Sequence, residues 1–273
     1  MTPTSDPVLA VAVRAARTAA SIVVDAARDL KRLPTFSKQH GDIVSGADME
    51  AEDAIIATLR GAFPDYAILG EESGHIAGAR EGSGHRWLVD PLDGTQNFVH
   101  GYPYYAISIA LVHANEITHA VVLDPVRDEL FHAARGKGAF LNGAQVHVSA
   151  CLKLSDALVA TSMPARESPQ LARHLPATTA LAPRCAGLRH GGSVALDLAH
   201  LAAGRLDGFW IMGAKPGDLA AGALLVKEAG GRVGDFAGTA EFLRASDAIA
   251  AAPGIFNPLR EALAAALTPP RGA

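Results

Sequence analysis

The chain is predicted to be an α/β protein of the α+β kind. Segments with the apolar period of an amphipathic helix alternate with short apolar runs of strand length, and the alternation never settles into a repeating βαβ unit. Its 273 residues are 49% hydrophobic but only 5% aromatic, so a core must be built from Ala, Val, Leu and Ile. An apolar strand, 87–89, runs straight into two aspartates and a glycine turn, and the rest of the chain is organised around that point. Two intimately packed halves, 1–149 and 150–273, are expected to form one unit.

The elements follow in order. Residues 8–33 place Leu9, Val13, Ala16, Ala20, Val23, Ala27 and Leu30 at helical spacing with Arg14, Arg17 and Asp25 between them, which predicts a long amphipathic helix stopped near Pro34. Residues 35–45 are polar, have neither period, and read as a mobile loop containing Lys38. Residues 48–63 are helical again, with Asp48 near the start as an ordinary cap or dipole partner. A short apolar segment, 66–69, delivers Gly70-Glu71-Glu72-Ser73, and the glycine-rich stretch 74–84 reads as a surface loop.

After the central motif, 104–112 and 117–123 read as strands, 129–133 as a hairpin partner, 135–143 as a structural turn and 146–148 as a short strand. In the second half 158–161, 184–188, 206–212, 232–235 and 248–251 read as strands, and 168–175, 194–203, 218–229 and 257–267 as helices. Ser193 stands at one helix start and Asp218 at another, while Gly230-Gly231 ends the latter.

A net charge of −4 with no block of Lys or Arg gives no nucleic-acid or membrane footprint, so a small-molecule partner is expected. No run approaches the ~18 apolar residues of a membrane span, and the acidic, polar N-terminus does not read as a signal peptide. Cys151 and Cys185 have neither metal nor redox spacing, which fits a reducing, cytoplasmic setting. The histidines, His75, His85, His100, His113, His119 and His132 among them, lack the paired spacing of a zinc site and read mostly as surface.

Five acids fall at element ends: Asp48, Glu71, Asp90, Asp93 and Asp218. Asp90 and Asp93 terminate a strand that should be buried, and two close carboxylates repel unless protons or cations compensate. A hard divalent cation beside a glycine turn answers both needs, with magnesium completing its shell from water and phosphate oxygens.

These residues carry a resemblance. Asp90-Pro91-Leu92-Asp93-Gly94-Thr95-Gln96-Asn97-Phe98 resembles the D-P-[IL]-D-G-T-x-N-F signature of the inositol monophosphatase family. Gly70-Glu71-Glu72-Ser73, the 136–143 run and Asp218-Leu219-Ala220-Ala221-Gly222 with Glu228-Ala229-Gly230-Gly231 are similar to its other motifs, in the same order.

The resemblance implies a layered αβαβα sandwich of the inositol monophosphatase and fructose-1,6-bisphosphatase type, usually a homodimer. It also implies a lithium-sensitive phosphomonoesterase using two to three Mg2+. Carried over, Glu71, Asp90 and the Leu92 carbonyl would hold one cation, and Asp90, Asp93 and Asp218 a second. A third would lie near Glu71, approached by Lys38. Asp48 and Thr95 would activate the attacking water, and Leu92, Asp93, Gly94, Thr95, Gly192, Ser193, Val194, Ile211 and Asp218 would contact substrate.

The expected substrate is a small phosphate ester, first of all myo-inositol monophosphate. Two departures lie at the substrate end. The family's inositol phosphatases carry an acid seven positions before the last aspartate, where this chain has Ile211, and usually tryptophan directly before it, where this chain has Gly217. Histidinol phosphate, a sugar bisphosphate, a nucleotide 3′-phosphate or NADP therefore remain alternatives. Lys215 reads either as a solvated turn residue or as a site for a second anionic group. A regulatory or binding protein on the same fold is the alternative from another class.

Overall fold

The computed structural model describes residues 6–30, 34–37, 43–80 and 82–267. Helix α1 (Pro7–Ala27) starts at Asp6, whose carboxylate accepts from the N–H groups of Val8 and Leu9 at 2.9 and 3.1 Å. It ends earlier than its apolar period suggested, because Arg28 and Asp29 close tighter bonds to the carbonyls of Asp25 and Ala26. By length and composition alone α1 could cross a membrane, with a mean hydropathy of 1.6, contrary to the expectation that no run comes close. Its buried face, Leu9 to Val23, packs against the protein's own second helix and large sheet.

Within 35–45, read from sequence as a loop, β1 (Thr35–Ser37) and β2 (Ile43–Ser45) pair as a short antiparallel ribbon. Lys38 and its expected approach to a third cation lie outside the described residues. Helix α2 (Gly46–Ala62) follows, then β3 (Ala67–Gly70) and β4 (Gly74–Ile76), the latter lying in the stretch expected to be loop. Strand β5 (His85–Asp93) is the predicted apolar strand, and α3 (Thr95–Val99) is one short turn beyond it.

Strands β6 (Ala106–His113), β7 (Glu116–Asp124), β8 (Glu129–Ala134), β9 (Ala139–Leu141) and β10 (Ala144–Val146) complete an eight-stranded sheet in the order β10-β9-β8-β7-β6-β5-β3-β4. All its pairs are antiparallel except β3 with β5.

The second half carries β11 (Leu158–Thr161), α4 (Leu171–Leu181), β12 (Gly187–Arg189), α5 (Val194–Ala202), β13 (Gly208–Ile211) and α6 (Pro216–Glu228). After these come β14 (Arg232–Gly234), α7 (Phe242–Ala245), β15 (Ala248–Ala251) and α8 (Phe256–Leu267). Its five-stranded sheet has the order β12-β11-β13-β15-β14. Several boundaries move from their expected places: β10 lies two residues earlier, α4 starts three residues later and runs six further, β12 starts three residues later, and α7 was not anticipated. For β12 the cause is the ladder, since Gly187 pairs with Leu158 and fixes which residues extend.

Three apolar clusters fill the four interfaces of five structural layers, the αβαβα sandwich, because the middle cluster covers both sides of α5 and α6. α1 and α2 cover one face of the large sheet through Trp87, Val89, Ile107 and Ile109. α5 and α6 fill the space between the sheets, touching Leu88 and Ala110 on one side and Phe209 and Ile211 on the other. α4 and α8 cover the outer face of the small sheet around Trp210 and Ile249. Strands covered on both faces favour apolar residues at every position, which explains the runs 87–89 of β5 and 109–112 of β6; buried Ser108 is accommodated by donating to the Gly217 carbonyl at 3.0 Å.

Two histidines depart from the surface expectation. His174 is buried with its Nε2 3.0 Å from Thr161 Oγ1. His132, on β8, is buried at 1% exposure and stacks on Phe140, and neither ring nitrogen has a partner among the described residues. Burial holds its pKa down at about 4, so it is neutral.

Candidate active site

The central motif folds as the sequence suggested, but with a device it did not reveal. β5 pairs regularly with β6 up to Asp90, then slips before Asp93 pairs with Ala106. The bulge turns both aspartates toward the space between the sheets, where α6 lies. Leu92 N–H donates to Asp90 Oδ1 at 3.0 Å and holds that carboxylate in place. Gly94 then takes φ 102°, a left-handed conformation that opens α3; a Cβ there would press on the Tyr104 carbonyl at 3.0 Å.

Glu71 arrives on the turn after β3. Gly70 is required there, since a Cβ would sit 2.4 Å from Glu52 Oε1. Glu52, buried on α2 one turn beyond Asp48, accepts from the N–H groups of Glu72 at 3.0 Å and Ser73 at 2.7 Å, and so fixes the turn. The only sequence signal for this positioning role was the helical spacing of Glu52 from Asp48.

Asp218 comes from the third position of α6, where its Oδ2 accepts from Lys215 N–H at 3.1 Å. One carboxylate oxygen from each of Glu71, Asp90 and Asp218 lies within 4.8 Å of the other two. Asp93 faces the same cleft but is not part of this triangle; its Oδ2 accepts from Ser193 Oγ at 2.5 Å and Ala195 N–H at 2.6 Å. Lys215 Nζ stands 2.8 Å from Glu71 Oε1, so this turn lysine, though half exposed to solvent, also pairs with the acidic centre.

Burial and mutual repulsion raise the affinity of these acids for protons. Asp90 lies well above the ordinary carboxylate value, first through burial and then through the charges of Glu71, Asp93 and Asp218. Burial moves Asp93 to about 6 against the pull of its Ser193 and Ala195 hydrogen bonds, and moves Asp218 to about 8. A crowded, buried, all-carboxylate set is what a hard divalent cation relieves, and it fits Mg2+ by donor chemistry. The group contains no histidine or cysteine that would favour zinc.

Across the cleft Thr95 Oγ1 lies within hydrogen-bond distance of Asp48 Oδ1 at 2.9 Å and the Leu92 carbonyl at 3.0 Å. Asp48 is also the third residue of α2, where its Oδ2 accepts from Ser45 N–H at 2.8 Å and from the Ser45 hydroxyl. Asp48 therefore caps the helix through one oxygen, as the capping reading expected, and meets Thr95 through the other. Burial raises its pKa.

The two halves are tied at the 191–193 turn. Asn97 donates to the carbonyls of Tyr104 at 2.7 Å and Gly191 at 2.9 Å, and Gly192 has φ 87° with no room for a Cβ beside Asn97. Tyr104 donates to buried Asp197 at 2.6 Å, and burial moves that carboxyl up to about 7. Gly192, Val194 and Ile211 line the cleft, which encloses about 470 Å3. Ser193 instead caps α5 and turns its hydroxyl to Asp93, and Arg189 is exposed and away from the cleft.

Comparison with known proteins agrees with this arrangement. The inositol monophosphatase family profile matches residues 4–268. The "Nus factor SuhB" of Pseudomonas aeruginosa is 47% identical over 249 residues, covering 89% of this chain and 91% of that protein. The crystal structure of extragenic suppressor protein suhB from Bartonella henselae superposes with a TM-score of 0.90 at 42% identity, covering 94% of this chain and 98% of that one. The inositol monophosphatase from Anabaena (Nostoc) sp. PCC 7120 superposes with a TM-score of 0.83 at 33% identity, with 96% of each chain covered. A matching profile over nearly the whole length, with the same fold and the same ordered motifs, places this chain in the inositol monophosphatase family.

Proposed function

We propose that this protein is a Mg2+-dependent phosphomonoesterase that hydrolyses a small phosphate ester by attack of an activated water. The observation that carries the reading is the Glu71, Asp90 and Asp218 triangle facing the Thr95–Asp48 pair in one cleft. Glu71, Asp90, Asp93, Asp218 and the Leu92 carbonyl would hold the cations, two or three in number. Bound there, Mg2+ supplies charge neutralisation for the phosphate oxygens and polarises water. Thr95 accepts a hydrogen bond from the attacking water and gives its own proton toward Asp48, which burial makes a better proton acceptor. Backbone N–H groups of Gly94 and Thr95 face the phosphate. A cytoplasmic homodimer inhibited by lithium is the accompanying expectation.

The test is phosphate release from a panel headed by myo-inositol 1-phosphate, with histidinol phosphate and a nucleotide 3′-phosphate beside it, in Mg2+, in EDTA and with added Li+. Release that needs Mg2+ and is lost in Asp93→Asn is the expected result. An Asp93→Asn variant with full Mg2+-dependent release would refute the metal assignment.

The Nus factor name of the Pseudomonas relative favours a second reading, a binding protein serving the transcription machinery through the surface of the same fold. That reading sets aside the expectation of no nucleic-acid partner. A stoichiometric partner in pull-downs, together with no hydrolysis of any ester, would establish it over the first.

A further inference from the structure

The cleft has two chemically different walls. One is the carboxylate centre, and the other is built by residues 162–165 and 211–214, where Met163, Ala165, Ile211 and Met212 line the space. Glu71, Asp90, Asp93 and Asp218 are the only carboxylates lining the cleft among the described residues.

Several polar groups nearby are engaged: Asn97 is committed to two carbonyls, His190 Nε2 accepts from Met163 N–H, and Lys215 is held at Glu71. Ser162 Oγ has no partner among the described residues but is enclosed by protein, and Gln96 stays exposed on the carboxylate side of the cleft. At the mouth, Tyr102 at 56% and Met163 at 44% exposure are two of the few large apolar side chains left open to solvent. Apolar groups exposed at the rim of a cavity mark the surface that a ligand covers.

We propose that the alcohol part of the substrate is an apolar carbon skeleton, not a polyol, selected by the wall around Ile211 and Met163. This rests on the phosphomonoesterase reading and specifies its leaving group. Free hydroxyls pressed on the Met163, Ile211 and Met212 side chains lose water and gain no partner from them, whereas a hydrocarbon ring loses nothing there. Ile211 is buried at the end of β13, held by pairing with Ala248, so the wall is part of the sheet and does not retreat.

Cyclohexyl phosphate and myo-inositol 1-phosphate share one carbocycle and differ in its free hydroxyls. In the Mg2+-loaded protein kcat/KM for the cyclohexyl ester should be the larger by roughly tenfold or more. Ile211→Glu should move the ratio toward inositol by about tenfold or more. A buried charge can prevent folding, so Met163→Gln, on an exposed residue, is the second variant and should move the ratio the same way by a smaller factor.

An equal or higher kcat/KM for the inositol ester, or a ratio unmoved in both variants, overturns the leaving-group proposal while leaving the phosphatase intact. Absence of Mg2+-dependent release from both esters, and from the wider panel, overturns the phosphatase reading and this proposal with it.

Discussion

At the residue scale, the site separates groups that manage charge from one that manages a proton. Asp90 is the most enclosed member of the acidic triangle, and the charges of Glu71, Asp93 and Asp218 add to burial in raising its proton affinity. Thr95 contributes one hydroxyl, itself held by Asp48 at 2.9 Å. Thr95→Ala should lower kcat/KM for phosphate release by roughly a hundred- to ten-thousandfold. Asp90→Asn should lower it further and should also weaken Mg2+ binding measured by calorimetry, which Thr95→Ala should not. Equal losses in both variants, with equal Mg2+ affinity, would remove the distinction. Asp90 and Asp93 were legible because two close carboxylates at the end of an apolar strand have no bland explanation, whereas Glu71 and Asp218 joined them only through the family resemblance. Glu52 was not, because an acid on a helix looks solvated until the Glu72 and Ser73 N–H groups are found bonded to it.

At the element scale, the positions of α5 and α6 decide where Asp93 and Asp218 are held. α5 brings Ser193 Oγ and Ala195 N–H to Asp93, and α6 presents Asp218 from its first turn. The two helices approach closely at Gly222, where a Cβ would sit 2.4 Å from Leu198 Cβ. Ala is the better helix former by about 1 kcal/mol, but overpacking costs about 1–3 kcal/mol, so the steric effect wins. Gly222→Ala should therefore lower the thermal midpoint by several degrees and reduce activity with it, read by calorimetry and phosphate release. A stabilised variant would show that the helices can part freely. The glycine was visible in the sequence only as a motif member. Strand boundaries such as β12 and the bulge in β5 were not visible at all, since pairing with distant segments sets them.

At the scale of the whole molecule, folding without a cation forces several acids into one buried space. An acid whose folded pKa exceeds its unfolded value of 3.8 stabilises the fold fully below that pH, and the contribution is lost as pH rises through the folded value, about 6 for Asp93 and about 8 for Asp218. His132 and His200, each held down at about 4 by burial, act in the opposite sense and favour the fold above about 6.5. Comparison with Asp218→Asn isolates the acid. In EDTA the variant's thermal midpoint should rise relative to the parent's between about pH 5 and pH 8, and Mg2+ should stabilise the parent more at the upper value. A constant difference between the two proteins would refute the crowding argument. The sequence by itself determined the α+β class, the family motifs and nearly every acid of the site, because apolar periodicity and charged residues at strand ends are local properties. Only the tertiary structure decided that Lys215 meets Glu71, that Ser193 serves Asp93, and that Ile211 joins Met163 in an apolar wall, because those contacts join segments that only the packing of two sheets around α5 and α6 brings together.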